Sequence, residues 1–241
     1  MNRYYYDLHI HSTLSPCADD DNTPNNIAGM AKLSGLDIVA LTDHNSTKNC
    51  PAFFEAAERY GLIPIAGMEL TTSEDIHMVC LFSTLEDAMR FGEEVSRRLI
   101  KVKNRPEIFG EQLILDGEDN VIGKEEMLLS VATDISVEAL PELVGSFGGI
   151  CYPAHIDRDA NGIIAVLGTL PDSPVFNTVE LRDREKIDEY TERYGLSDKR
   201  IVIDSDAHCL TDMRDGECYF ELESPREDPR AVVAELINIL R

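Results

Sequence analysis

The sequence predicts a parallel α/β fold of barrel size, and three observations carry the prediction. Strand-like and helix-like stretches alternate about seven times, the pattern of a parallel sheet with crossover helices. The run Leu36-Asp37-Ile38-Val39-Ala40-Leu41 is nearly continuous in apolar residues, as in a strand covered on both faces. The chain has 241 residues, enough for one barrel-sized domain with a substantial core.

Taken in order, Tyr4-Tyr5-Tyr6 leads into Asp7-Leu8-His9-Ile10-His11, read as a short buried strand. Side chains alternate along a strand, so His9 and His11 share a face, with Asp7 in phase. Ser12 to Asn22 is a polar loop. Thr23-Pro24 starts a helix, with Thr as N-cap and Pro at the first helical position, and Gly35 ends it. The strand Leu36 to Leu41 runs into Thr42-Asp43-His44-Asn45. A helix over Cys50 to Tyr60 stops at Gly61. Leu62 to Glu69 and Ile76 to Phe82 are strands, and Leu85 to Lys103 has helical spacing.

Residues 104–122 break the rhythm. Gln112 to Leu115 and Val121-Ile122 flank Asp116-Gly117-Glu118-Asp119-Asn120, a hairpin-like pattern. This is read as an insertion on the barrel, in the place of a lid. Helices are expected over Lys124 to Val131 and Ser136 to Phe147. A strand ends in Pro153-Ala154-His155, and Asn161 to Gly168 is helical. Asn177 to Leu181 is a strand, Asp183 to Tyr194 a helix, and Ile201 to His208 a strand with an acid/His tip. Cys218 to Leu222 and the helix from Asp228 or Pro229 to Leu240 close the chain.

The composition limits the function. The formal net charge is −23, which opposes a basic groove for duplex DNA or long RNA but not a small anionic substrate beside bound cations. No apolar run is long enough to span a membrane, and Met-Asn-Arg-Tyr is no signal core; a cytoplasmic protein is expected. None of the six cysteines forms a C-x-x-C pair, so zinc-finger and thioredoxin-type motifs are not expected.

All six histidines, His9, His11, His44, His77, His155 and His208, fall on predicted strands or their tips, together with Glu69, Asp204 and Asp206. Strand carboxyl ends converge on the active face of an α/β barrel, and imidazoles with carboxylates are the donors of a divalent metal site. A lone histidine at a strand end is more often structural; the coincidence of six is what argues for a centre.

Asp7-Leu8-His9-Ile10-His11-Ser12, Thr42-Asp43-His44-Asn45, Gly67-Met68-Glu69, Pro153-Ala154-His155 and Asp204-Ser205-Asp206-Ala207-His208 resemble, in order, the motifs of the PHP (polymerase and histidinol phosphatase) phosphoesterase family. The resemblance spans nearly the whole chain. It implies a distorted (β/α)7 TIM-like barrel, a single domain over residues 1–241, and two or three divalent ions, zinc, manganese or iron. It implies one ion held by His9, His11, Glu69 and Asp206, and a second by Glu69, His77 and His155. A third would take His44, His208 and a residue of the loop after His11. There the sequence departs from the family, which places His or Asp. Counting back from Thr23-Pro24 gives Asp19, the residue preferred here; counting forward from His11 gives Cys17.

The activity implied is hydrolysis of a phosphate ester by metal-activated water. The substrate would be a small phosphomonoester, a nucleotide or a short 5′-phosphorylated oligonucleotide. Arg158, three residues after His155, is the first candidate for a phosphate clamp, followed by Arg182 and Arg184. Asp43 and Asp204 are expected to orient imidazoles. Two other readings remain: an amidohydrolase, which also begins with H-x-H on a barrel strand, and a non-catalytic metal-binding regulatory module.

Overall fold

Local chemistry sets the first elements. The Thr23 side chain accepts from the Asn26 N–H and Pro24 opens α1 (Pro24–Leu33). Gly61, at φ 68°, closes α2 (Cys50–Tyr60) in the left-handed conformation that glycine adopts without strain. The computed structural model describes residues 1–241. Around these helices run β1 (Asn2–Asp7), β2 (Ile38–Leu41), β3 (Ile63–Thr71) and β4 (His77–Phe82). Then come α3 (Leu85–Arg98), α4 (Pro106–Phe109), β5 (Leu113–Leu115), β6 (Val121–Lys124), α5 (Leu140–Ser146) and β7 (Gly149–Pro153). The chain ends with α6 (Ile163–Leu167), β8 (Thr178–Leu181), α7 (Ile187–Tyr194), β9 (Arg200–Ile203), β10 (Tyr219–Leu222) and α8 (Pro229–Leu240).

Six strands form one curled sheet in the order β10-β1-β2-β3-β4-β7. β8 and β9 pair in parallel beside it. The Ile10–Ala207 bridge and the His11 N–H to Ala207 carbonyl bond, 3.0 Å, tie this pair to the continuation of β1. The Ile156 N–H, 2.9 Å from the Glu180 carbonyl, ties it to β7. The α/β barrel is therefore the observed fold class.

Two strands depart from the parallel expectation: β10 pairs antiparallel to β1 at the edge, and β4 is reversed within the sheet. β4 runs antiparallel to both β3 and β7. Only Thr72–Ile76 separate β3 from β4, and so short a connection can join antiparallel neighbours but not a parallel crossover. The reversal puts the first residue of β4, His77, opposite Thr71 at the end of β3.

Alternate residues divide the core into two layers. Val39, Leu41, Met68 and Leu70 pack outward with α1, α2 and α3 residues such as Ile27, Phe53 and Phe91. Ile38, Ala40, Ile63, Ile65, Val79 and Leu81 pack inward with Tyr4, Tyr6 and Tyr152, against Val232, Leu236 and Leu240 of α8. Each such side chain, fully buried, contributes roughly 1.5–3 kcal/mol. On β3 the inner face reads Ile63, Ile65, Gly67, Glu69: apolar below, ionisable above.

Two predicted helices differ. α3 stops at Arg98, where Leu99 turns extended and bridges Thr133. Lys124 to Val131 is not helical: the Gln112 side chain donates to the Glu125 and Met127 carbonyls and accepts the Leu129 N–H, holding the segment extended. The 104–122 insertion contains the predicted hairpin, β5 with β6. It is fastened rather than free. Asn49 bonds both the Leu113 carbonyl and the Leu115 N–H, and the Thr23 hydroxyl and Asn25 N–H donate to Asp119. These contacts fasten the hairpin to the α1–α2 side. No helix is long and apolar enough to cross a membrane.

Gly67 leaves no room for a side chain. A Cβ there would stand 2.8 Å from the Cys80 carbonyl and 2.9 Å from Thr42 and Leu81 side-chain carbons. Gly67→Ala is therefore expected to destabilise the chain by about 1–3 kcal/mol, read as a lower urea midpoint with unchanged slope; an unchanged midpoint refutes the close packing.

Candidate metal centre

Glu69 stands at the centre of the barrel mouth, fully buried. Its Oε1 lies 2.8 Å from His77 Nδ1, 2.9 Å from His155 Nε2 and 3.4 Å from His9 Nε2. Its Oε2 lies 3.0 Å from His44 Nδ1 and 3.3 Å from His11 Nε2. Asp206 completes the group, with Oδ1 3.5 Å from His9 Nε2 and 3.3 Å from His11 Nε2. The His11 ring stacks on His208, centroids 4.2 Å apart. Residues from β1, β2, β3, β4, β7 and β9, or the turns just past them, thus meet in one place.

The fold explains each approach. Ile10, bridged to Ala207, leaves His9 and His11 as the flanking residues of an extended segment. His155 has φ 29° and Asp206 φ 51°, turns that few non-glycine residues adopt. Such departures are stored where the surrounding structure over-determines them.

Three groups have ligand atoms close enough to surround one ion: His9, His11, Glu69 and Asp206; His44, Glu69 and His77; and His11, His44 and His208. His155 touches the second through Glu69. Glu69 Oε2, Asp206 Oδ1 and His44 Nδ1 are buried without a hydrogen-bond partner, and the Nε2 atoms of His9 and His11 face each other at 3.2 Å. Orphaned acceptors converging on facing imidazole nitrogens suit a divalent cation, and the mixed donor set is that of zinc, manganese or iron.

Neighbouring groups fix the imidazoles. His9 Nδ1 lies 2.9 Å from Glu180 Oε2, so it donates there and leaves Nε2 as a lone pair. The Ser15 hydroxyl gives its proton to Asp43 at 2.7 Å and accepts from His11 Nδ1 at 2.9 Å, which also frees Nε2. His208 Nδ1 donates to the Asp206 carbonyl at 2.8 Å. Asp43 therefore acts on His11 through Ser15, and it also accepts from Ser12.

Several sequence expectations change. Asp204 touches no imidazole; it accepts the Leu8 N–H at 2.7 Å, and burial beside Glu180 and Asp7 pushes its pKa well up. Asp7 accepts the Ser205 N–H and belongs to no ligand group. Asp19 is exposed and offers only its N–H to the His208 carbonyl, at 2.8 Å. Cys17, also exposed, lies near enough to His44 to help raise its pKa. Arg158 Nη1 lies 2.7 Å from Asp206 Oδ2, and Arg182 Nη1 3.8 Å from the same atom; Arg184 is exposed outside the cluster. Glu180 and Ser15 were missed. The available signal for Glu180 was one acid within the strand Thr178-Val179-Glu180-Leu181.

Electrostatics follow the geometry. Burial alone would raise the Glu69 pKa, but His77, His9 and His44 hold it well below the usual carboxylate range. Burial depresses His11 and His44, yet the carboxylates outweigh it and raise both to about 9. His208, half shielded and next to the cationic His11, falls to about 3.

Glu180→Gln is expected to weaken metal retention about 10- to 100-fold, measured by elemental analysis after dialysis against a graded chelator; full retention refutes the Glu180–His9 link. The histidine shifts also set a pH dependence. A raised folded-state pKa adds stability that is complete below about 6.5 and lost as pH rises through about 9. Chelated protein should therefore melt lower at pH 9 than at pH 6.5, and bound ions should flatten the difference. A melting temperature that rises over this range contradicts the assignment.

Comparisons with known proteins bear on the family and the fold. The chain is 35% identical over 74 residues to the error-prone DNA polymerase of Symbiobacterium thermophilum, a stretch covering 31% of this chain and 7% of the polymerase. The lesion-specific endonuclease Q of Pyrococcus furiosus has a similar fold, with TM-score 0.63 and 18% identity over 96% of this chain and 56% of that one. Endonuclease Q in complex with a 27-mer duplex bearing an abasic lesion gives 0.61 at 17% identity, over 97% of this chain and 57% of that one. Two structures match end to end at TM-score 0.53 and 18% identity. One is a Bifidobacterium adolescentis chain assigned as a metal-dependent phosphoesterase, covering 94% of each chain. The other is an amidohydrolase from Chromobacterium violaceum, covering 95% and 96%. The PHP domain pattern matches residues 7–165, a range that holds His9, His11, His44, Glu69, His77 and His155. With that match over most of its length, the chain belongs to the PHP domain family of metal-dependent phosphoesterases and hydrolases.

Proposed function

We propose that this chain hydrolyses a phosphate ester of a small phosphomonoester, a nucleotide or a short 5′-phosphorylated oligonucleotide. The observation that carries the reading is two arginines converging on a ligand carboxylate. Asp206 turns Oδ1 toward His9 and His11 and Oδ2 toward Arg158 and Arg182. Both guanidiniums are partly exposed, so they border the cluster where an incoming anion would dock.

His9, His11, Glu69 and Asp206 would hold one divalent ion, and Glu69, His77 and His155 a second. His44 and His208 would serve a third, with the loop that carries Cys17 and Asp19 beside them. Bound ions of this kind supply Lewis acidity and bring the pKa of water toward neutrality. The chain's residues do the rest. Arg158 presents a planar fork that matches phosphoryl oxygens. Arg182 adds a second positive charge where negative charge accumulates. Glu180, Asp43 and Ser15 keep the imidazoles in the tautomers that ligation needs.

The fold likeness to endonuclease Q puts the expected exclusion of duplex DNA in question, because that enzyme takes a duplex. Against it stands the net charge of −23, which disfavours an extended phosphate-binding groove. The amidohydrolase reading has the Chromobacterium fold likeness in its favour. Against it, none of the barrel strands ends in lysine, whereas barrel amidohydrolases often use a modified one at a strand end.

Chelation is expected to abolish hydrolysis of an aryl phosphate, and manganese or zinc to restore it. In the restored enzyme Arg158→Ala should lower kcat/KM at least about tenfold with metal content unchanged. Steady-state kinetics with aryl phosphate, amide and duplex substrates in parallel checks this; activity indifferent to chelator refutes it.

A further inference from the structure

Asn45 follows His44 directly, is only 2% exposed and has φ 47°. Few side chains adopt this left-handed conformation, and asparagine is among those that do so most readily. Its N–H donates to the Glu69 carbonyl at 3.0 Å. Its side-chain oxygen accepts the Thr71 N–H at 3.0 Å. Its side-chain nitrogen donates to the Leu129 and Val131 carbonyls, at 2.7 and 2.9 Å. One buried residue thus grips the end of β3 on one side and the entrance segment on the other.

The two sides differ in what they do. On the β3 side, His44 Nδ1 lies 3.0 Å from Glu69 Oε2, and neither atom has a hydrogen-bond partner. With His77 they form one of the ligand groups. An ion there would fix His44 and Glu69, the two residues whose backbones Asn45 joins. On the entrance side, the chain after Lys124 is extended and held piecemeal. The Leu128 N–H donates to the Val102 carbonyl at 2.8 Å, and Gln112 takes the Leu129 N–H at 2.8 Å. Thr133 bonds the Thr71 carbonyl through its N–H and its hydroxyl, a second tie to β3 beyond Val131. Between these ties, the Asn45 amide is what holds the Leu129 and Val131 carbonyls. A buried amide with both donors and its acceptor used is costly to displace.

We infer that Asn45 is a positioning residue that couples ion binding at His44, Glu69 and His77 to the order of entrance residues 128–132. The coupling requires the metal centre but no particular reaction, so it stands apart from the phosphate-ester reading. Such coupling is reciprocal. An ion that fixes the His44 turn steadies the Leu129 and Val131 carbonyls. A molecule that packs on the entrance segment tightens the ion in return. Seating of a substrate at the mouth is thereby felt at the metal before any bond is broken.

Hydrogen exchange of the full chain, chelated and then loaded with zinc or manganese, tests this. The Leu128 and Leu129 amides are the reporters. Metal should slow their exchange at least about fivefold in the wild type. Two variants remove the link in different ways. Asn45→Gly keeps the left-handed turn and deletes the side chain. Asn45→Asp also tolerates that turn and keeps an acceptor for Thr71, but its carboxylate has no proton for the two carbonyls. In both, the metal-dependent slowing should shrink below about twofold, and elemental analysis should find one ion released at about tenfold lower chelator. Faster exchange in both states with the metal-dependent slowing intact makes Asn45 a structural pin and overturns the coupling. Wild-type exchange that ignores bound metal overturns it as well. If the loaded wild type shows the slowing yet cleaves no phosphate ester, the phosphate-ester reading falls and the coupling stands. If the wild type takes up no ion, both fall.

Discussion

A carboxylate removed from water is the constraint on which the barrel mouth depends. Glu69 is fully buried, and an isolated buried charge costs several kcal/mol or more unless it is compensated. Five imidazoles, from His9, His11, His44, His77 and His155, stand within 3.4 Å of its two oxygens. No one element could supply them. Six strands must end, begin or turn at the same height for the compensation to work, and the mouth is built to that requirement.

A second ring makes the first one rigid. Glu180 accepts from the His155 N–H as well as facing His9, so one acid positions a side chain and a turn. Asp43 gathers Ser12 and Ser15 and through them fixes the loop after His11. Asp204 holds the Leu8 backbone and Asp7 the Ser205 backbone, a reciprocal stitch between β1 and β9. Below this polar tier the same strands carry Ile, Val and Leu against α8. Stability is thus concentrated at the closed end and chemistry at the open end, the division usual for barrels of this type.

Much of this was legible in the residues. Thr23-Pro24, Gly35 and Gly61 mark helix ends by local chemistry that no tertiary contact overrides, and the α1 and α2 limits follow them. The histidines could be placed at strand tips because period-two patterns locate strands without knowing their neighbours. What resisted reading was whatever depends on a distant partner. The segment after Lys124 has helix-forming residues, yet the Gln112 side chain claims its carbonyls from across the insertion. Glu180 looks like an ordinary strand acid until His9, 171 positions away in sequence, is beside it. Counting back from Thr23-Pro24 favours Asp19 and counting forward from His11 gives Cys17; both are exposed, and only the path of the loop brings Cys17 near His44 and the Asp19 N–H to the His208 carbonyl.

The reversed strand β4 has a consequence for how the opening is furnished. A helix after a parallel strand descends the outside wall and returns the chain to the floor. After β4 the direction is opposite: α3 leaves from the floor and climbs, and Leu99 arrives beside Thr133, which is bonded to Thr71 at the rim. Everything from Leu99 to Thr133 is therefore deposited around the entrance without crossing the wall. Rewriting the part of that excursion before Leu129 would remodel what enters while keeping the Leu129 and Val131 carbonyls that Asn45, next to His44, holds.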